Sequence, residues 1–174
     1  MKPNIVIIGM PGSGKTTFGS KLAEKLGLIF FDADAYLEEM QSESIQELFA
    51  VSEDFFRCVE TESLRGLSAK KGVVIATGGG AVKREENMAI LRKSGITIFI
   101  DRAPDDIVKD VDIVSRPLLA KGRQEIYALY NERIGLYREY ADYCAINDSE
   151  ISVVLERICR YLMAEGYTTK STLD

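Results

Sequence analysis

The chain contains no histidine in its 174 residues. That absence excludes histidine-based catalytic triads, phosphohistidine intermediates and histidine metal sites, so any base here is another kind of group. Cysteine is scarce as well: Cys58, Cys144 and Cys159 are odd in number and form no CxxC pair. Neither a disulfide framework nor a zinc cluster fits, and reduced thiols in a cytoplasm do. No stretch approaches the roughly 18 apolar residues of a membrane span, and the N-terminal apolar run is broken by glycines before it takes signal-peptide form. Positive charge is in deficit. The net charge is −5 and the isoelectric point near 5.0, which argues against general affinity for nucleic acid or anionic membranes and favours small-molecule partners. The remainder is ordinary for one α/β domain: 46% hydrophobic and 28% charged residues, with enough length for a substantial core.

Against that background stands Gly9-Met10-Pro11-Gly12-Ser13-Gly14-Lys15-Thr16, a P-loop pattern in which a glycine, four free positions and Gly-Lys-Ser/Thr follow a strand and open a helix. The context agrees. Ile5 to Ile8 reads as a buried strand, and Thr17 to Leu26 carries apolar residues at helical spacing. Glycines at 9, 12 and 14 allow backbone N–H groups to turn inward on phosphate oxygens, the new helix presents its positive end, and Lys15 adds a point charge. Thr16 offers a hydroxyl to Mg²⁺. The pattern implies a nucleoside triphosphate.

Further along, Leu28 to Phe31 predicts a second buried strand that ends at Asp32-Ala33-Asp34, and helical spacing resumes from Ala35. Ser52-Glu53-Asp54 opens a longer helix through about Ala69. Val73 to Ala76 and Ile96 to Ile100 are two more buried strands, separated by the Thr77-Gly78-Gly79-Gly80 turn and a helix ending near Lys93. A helix over 103–111 precedes a segment, about 112–123, whose Ser115, Pro117 and Gly122 among basic residues read as a mobile lid. A long helix from about Gln124 to Ala141, a last strand at Cys144 to Ile146 and a helix from about Glu150 to Met163 complete a single domain over 1–165, with 166–174 expected as a frayed tail. Alternating strands and helices with continuous apolar strands predict a parallel sheet covered on both faces, with ligands at the strands' carboxyl ends.

Several residues on that edge have both a plain and a chemical reading. Asp32 is either a solvated loop carboxylate or the group that orients Mg²⁺-bound water beside Thr16. Asp34 either caps the following helix or meets a substrate hydroxyl. Gly78 to Gly80 is either a strained turn or a place where backbone N–H groups approach a ligand. Arg133 falls among Ile126, Leu129, Tyr130 and Tyr137 on the apolar stripe of its helix, so its charge must snorkel out or find a partner. Arg57 is either solvated or a second cation for the same ligand, and Glu60, three residues on, either holds it or forms a surface ion pair. Two arginines near a carboxylate site suggest a substrate with a carboxylate of its own. Arg116, before Pro117, is either solvated or carried by the lid onto the phosphates.

Taken together, GMPGSGKTTFG at 9–19, FDAD at 31–34, FFRCVE at 55–60, ATGGGAV at 76–82, SRPLLA at 115–120 and NERIGLY at 131–137 resemble the shikimate kinase family of small P-loop kinases, over most of the chain. The resemblance implies a five-stranded parallel sheet of order 2-3-1-4-5 and ATP-dependent, Mg²⁺-requiring phosphorylation of the shikimate 3-hydroxyl in the chorismate route to aromatic amino acids. It further implies that Asp34, Arg57, Gly79 and Arg133 bind shikimate and that Gly12, Ser13, Gly14, Lys15, Thr16, Thr17 and Arg116 bind the ATP phosphates. On this reading Lys15, Asp34 and Arg116 carry catalysis, Thr16 and, through water, Asp32 hold the metal, and the enzyme is a cytoplasmic monomer. Two departures stand out. Gly135 takes the place of a proline common in the family, and Lys109 and Glu150 stand where its adenine-side arginines lie, which leaves the nucleobase contacts unassigned. The competing readings are a kinase for a sugar acid such as gluconate, a nucleoside monophosphate kinase, and a non-catalytic nucleotide-binding regulator.

Overall fold

The computed structural model describes residues 3–110 and 123–167. Five parallel strands form one sheet in the order β2-β3-β1-β4-β5, as the resemblance implied: β1 Asn4–Ile8, β2 Ile29–Asp32, β3 Val73–Ala76, β4 Gly95–Asp101 and β5 Tyr143–Ile146. Alternate residues of the central strand face opposite layers, as strand geometry requires. Ile5 and Ile7 pack with Phe18, Leu22, Val154 and Ile158, from α1 (Lys15–Leu26) and α8 (Ile151–Ala164). Val6 and Ile8 pack on the other side with Leu64, Leu67, Met88, Leu91 and Tyr137, from α4 (Glu53–Ala69), α5 (Glu85–Ser94) and α7 (Arg123–Tyr140). The remaining helices are α2 (Ala33–Gln41), α3 (Ile45–Val51) and α6 (Pro104–Asp110).

Three expectations change. The second strand is not buried: β2 pairs only with β3, and as the sheet's edge it leaves Ile29 65% exposed. The helical stretch after it begins at Ala33 and is split in two. Ser42 closes α2 in the left-handed region at φ 56, and Ser44 with Glu47 forms a reciprocal capping box that starts α3. That Ser-x-x-Glu signature was present in the sequence, but apolar periodicity alone runs across it. At the other end the chain stays packed two residues into the expected tail. Gly166 at φ 80 turns the chain so that its N–H bonds Met163 O and that of Tyr167 bonds Leu162 O, a Schellman-type stop. Tyr167 is buried at 3% exposure and donates its hydroxyl to Pro3 O. The expected lid, 112–122 with Arg116, lies outside the described residues, and Arg123 already belongs to α7.

Candidate active site

The loop between β1 and α1 has Gly12 at φ 82 and Gly14 at φ 99, conformations that L side chains rarely adopt. Gly14 opens α1 without a side-chain cap, so the first-turn N–H groups keep the anion-binding character of a helix start. Two side chains brace the loop from behind. Arg102 Nη1 donates to Gly12 O and Asn147 Nδ2 to Ser13 O, each at 3.1 Å. These carbonyls are thereby turned back into the protein. Lys15 is buried with its ammonium 2.8 Å from Met10 O, and Thr16 and Thr17 follow on the exposed side of the first turn.

Asp32 and Asp34 separate cleanly. Asp32 is the N-cap of α2, its Oδ1 accepting from the N–H groups of Asp34 and Ala35 at 3.1 and 3.3 Å, while Oδ2 accepts the Thr16 hydroxyl at 2.7 Å. The cap is therefore Asp32, and Asp34 is left to face the cleft. Its carboxyl is raised from an ordinary 3.8 to about 6, first by burial and then by the negative charges of Asp32 and Glu60, with Lys15 pulling the other way.

The triple glycine is where the cleft's side chains meet. A Cβ on Gly78 would lie 2.7 Å from Asp34 Oδ1, one on Gly79 2.7 Å from Pro11 Cδ, and one on Gly80 2.5 Å from Arg57 Nη2. Side chains are excluded there by contact with the acid, the P-loop and the guanidinium in turn. Arg57, on α4, is 7% exposed; its Nη1 lies 2.8 Å from Glu60 Oε2, and its guanidinium rests 5.0 Å from the Phe56 ring centre, over a Phe49–Phe56 stack. Glu60 is itself buried, so this is an interior pair and not a surface one. Burial raises the Glu60 carboxyl, opposed by Arg57 and more weakly by Arg84 and Arg133.

On α7, Ile126, Leu129, Arg133 and Tyr137 are the buried stripe, and Arg133 does not snorkel. It is 3% exposed, and its Nε and Nη1 have no hydrogen-bond partner among the described residues. One turn on, Tyr137 donates its hydroxyl to Gly79 O at 2.6 Å, with its pKa pushed up to about 12 by burial. Tyr137 thus joins the arginine helix to the glycine turn. Asp34, Arg57, Gly79 and Arg133 are brought together beside the P-loop; Arg116 falls outside the described residues.

The family model for shikimate kinase matches residues 11–163. The chain is 46% identical over 158 residues to the shikimate kinase of Clostridium beijerinckii, covering 91% of this chain and 94% of that one. It is 42% identical over 163 residues to that of Clostridium botulinum, strain Alaska E43, covering 94% and 99%. The chain belongs to the shikimate kinase family. Among solved structures, the shikimate kinase from Acinetobacter baumannii in complex with shikimate is similar at TM-score 0.89 and 31% identity, with 97% of each chain covered. A sugar kinase from Janibacter sp. HTCC2649, 17% identical at TM-score 0.62, shares the fold alone.

Sequence reasoning missed Arg102 and Asn147 in this chain. Their signal is positional: Arg102 follows β4 and Asn147 follows β5 at the carboxyl edge that carries the P-loop. Both also line a cavity of about 330 Å³ with Lys109 and Asp148, on the P-loop's other flank from the Arg57–Arg133 cleft. Tyr137 was read as an apolar contact only, because a hydroxyl's partner across 58 residues leaves no local trace.

Proposed function

We propose that this enzyme transfers the γ-phosphoryl group of ATP to the 3-hydroxyl of shikimate, releasing ADP and shikimate 3-phosphate for the chorismate route. The observation that carries the reading is Arg133: a guanidinium buried at 3% exposure in which Nε and Nη1 have no hydrogen-bond partner among the described residues. Such a group is costly unless a ligand completes it, and a planar carboxylate matches its donors. Arg57, held in place by Glu60, supplies the second cation, and the Gly79 backbone lies within the same cleft.

Asp34 orients the reacting hydroxyl and accepts its proton. A carboxyl with a pKa of about 6 is anionic near neutral pH and more basic than an exposed aspartate, which suits a proton removed late in a loose transition state. The P-loop N–H groups from Gly12 to Thr17 bind the phosphates, Lys15 stabilises charge on the transferring group, and Arg116 is assigned to the same phosphates by family resemblance. The hydroxyl oxygen attacks phosphorus as the bond to the ADP oxygen breaks, in line.

Thr16 and Asp32 fit a magnesium site. The Thr16 proton is directed to Asp32 Oδ2, which leaves the hydroxyl lone pairs available to a cation, and Mg²⁺ commonly binds through few protein groups, with water and phosphates completing its shell. When bound, the ion neutralises charge on the triphosphate. Cleft residues from α2, α4 and α7 all belong to one chain, in keeping with a monomer, and the free cysteines suit a reducing cytoplasm. Among the described residues no helix is long and apolar enough to cross a membrane. An ADP-release assay with shikimate, gluconate and AMP offered separately tests the reading: turnover with shikimate alone supports it, and turnover with gluconate or AMP instead overturns it.

A further inference from the structure

Outside the groups already assigned, three charges join the two arginines. Glu53, in the first turn of α4, has Oε1 3.5 Å from Arg57 Nη2. Glu132, beside Arg133 on α7, has Oε1 3.8 Å from Arg133 Nε. The ammonium of Lys83 lies 3.6 Å from each of these same two oxygens. Lys83 reaches this point because the triple-glycine turn continues into a short 3₁₀ helix, in which the Lys83 N–H bonds Gly80 O at 3.0 Å.

We propose that Lys83 is a positioning residue for the substrate carboxylate, acting through Glu53 and Glu132. The inference rests on the shikimate reading above. A carboxylate near each arginine is a competitor for the donors that a ligand carboxylate needs, and two such groups also repel an incoming anion. One ammonium shared between both oxygens draws them towards itself and neutralises most of their field. With Lys83 removed, Glu53 and Glu132 turn onto Arg57 and Arg133, and the ligand has to displace them. A plain set of surface ion pairs would predict almost no effect, since exposed pairs contribute little; here the same contacts decide whether two buried arginines are open to a ligand.

The test is Lys83→Met, with shikimate binding measured by titration and kinetics followed by ADP release. The shikimate Kd and KM should rise about fivefold, the scale of one or two partly exposed ion pairs, while kcat and the KM for ATP stay near wild type. Lys83→Arg should restore wild-type affinity. Adding Glu53→Gln and Glu132→Gln to Lys83→Met should recover most of the loss, because the competitors are then neutral; a merely structural lysine would not respond in this way. Unchanged shikimate affinity in Lys83→Met, or a loss that the two glutamines fail to reverse, overturns the inference. Wild-type protein that does not bind shikimate refutes the functional reading itself, a separate outcome.

Discussion

Asp34→Asn should stabilise the protein and silence it at once, and the pH dependence of the gain identifies the cause. The Asp34 carboxyl titrates at about 6 in the folded chain against an ordinary 3.8. Below 3.8 both folded and unfolded states hold the proton. Between the two values the unfolded chain has lost it and the folded chain keeps it, so stability falls as pH rises through this window. Above about 6 the full cost is in place. A difference of about two pKa steps corresponds to about 3 kcal/mol, or about 2 kcal/mol once the residual solvent access of a half-buried side chain is allowed for. Asparagine keeps the shape and never ionises. Urea unfolding of wild type and variant at about pH 4 and about pH 7.5 should show the variant's advantage growing by that amount across the interval. In ADP-release assays the same substitution should lower kcat far more than ATP affinity, and the wild-type kcat/KM for shikimate should drop as pH falls through about 6. A stability difference that does not change between the two pH values refutes the reasoning, as does a variant with undiminished turnover.

Three further substitutions probe the cleft. Arg133→Met should be neutral or stabilising by about 1–3 kcal/mol in urea melts without ligand, because a buried cation with two nitrogens lacking hydrogen bonds among the described residues is removed while Glu132, its ion-pair partner, is half exposed and stays solvated, yet shikimate affinity by calorimetry should fall by about 2 kcal/mol or more. Gly80→Ala places a methyl 2.5 Å from Arg57 Nη2 at a backbone φ of −94 that alanine accepts; the displaced guanidinium should cost about tenfold or more in shikimate KM with the KM for ATP unchanged. Tyr137→Phe leaves Gly79 O without its hydroxyl partner, and urea unfolding should register a loss of about 1–2 kcal/mol.

What was readable in advance divides along physical lines. The P-loop, the strand order implied by family resemblance and the convergence of Asp34, Arg57, Gly79 and Arg133 were all legible, because phosphate binding and a charge on an apolar stripe leave short, regular patterns. The place of Arg133 on an apolar stripe was legible, but whether it snorkels or stays buried was open until the structure showed it 3% exposed. Exposure of β2 was not legible in its own residues, since an apolar strand at a sheet edge has the same composition as one inside it; only the implied strand order puts it at the edge. The roles of Asp32 and Asp34 were open in sequence, two residues apart, and only backbone direction at the start of α2 assigns the cap to the first. Arg102, Asn147 and the Lys83 bridge depend on elements far apart in the chain, which no local period reports. Tyr167 was taken for tail because a single aromatic after a glycine gives no helical repeat, although it is buried and bonded to Pro3 O.

The central claim is that two buried guanidinium groups grip a carboxylate, and it is tested most directly by titrating the wild-type protein with shikimate and with shikimate methyl ester. The account predicts that the ester, which keeps the ring and hydroxyls but lacks the charge, binds at least about 30-fold more weakly, and that Arg133→Met removes most of the difference. Equal affinity for acid and ester would contradict it.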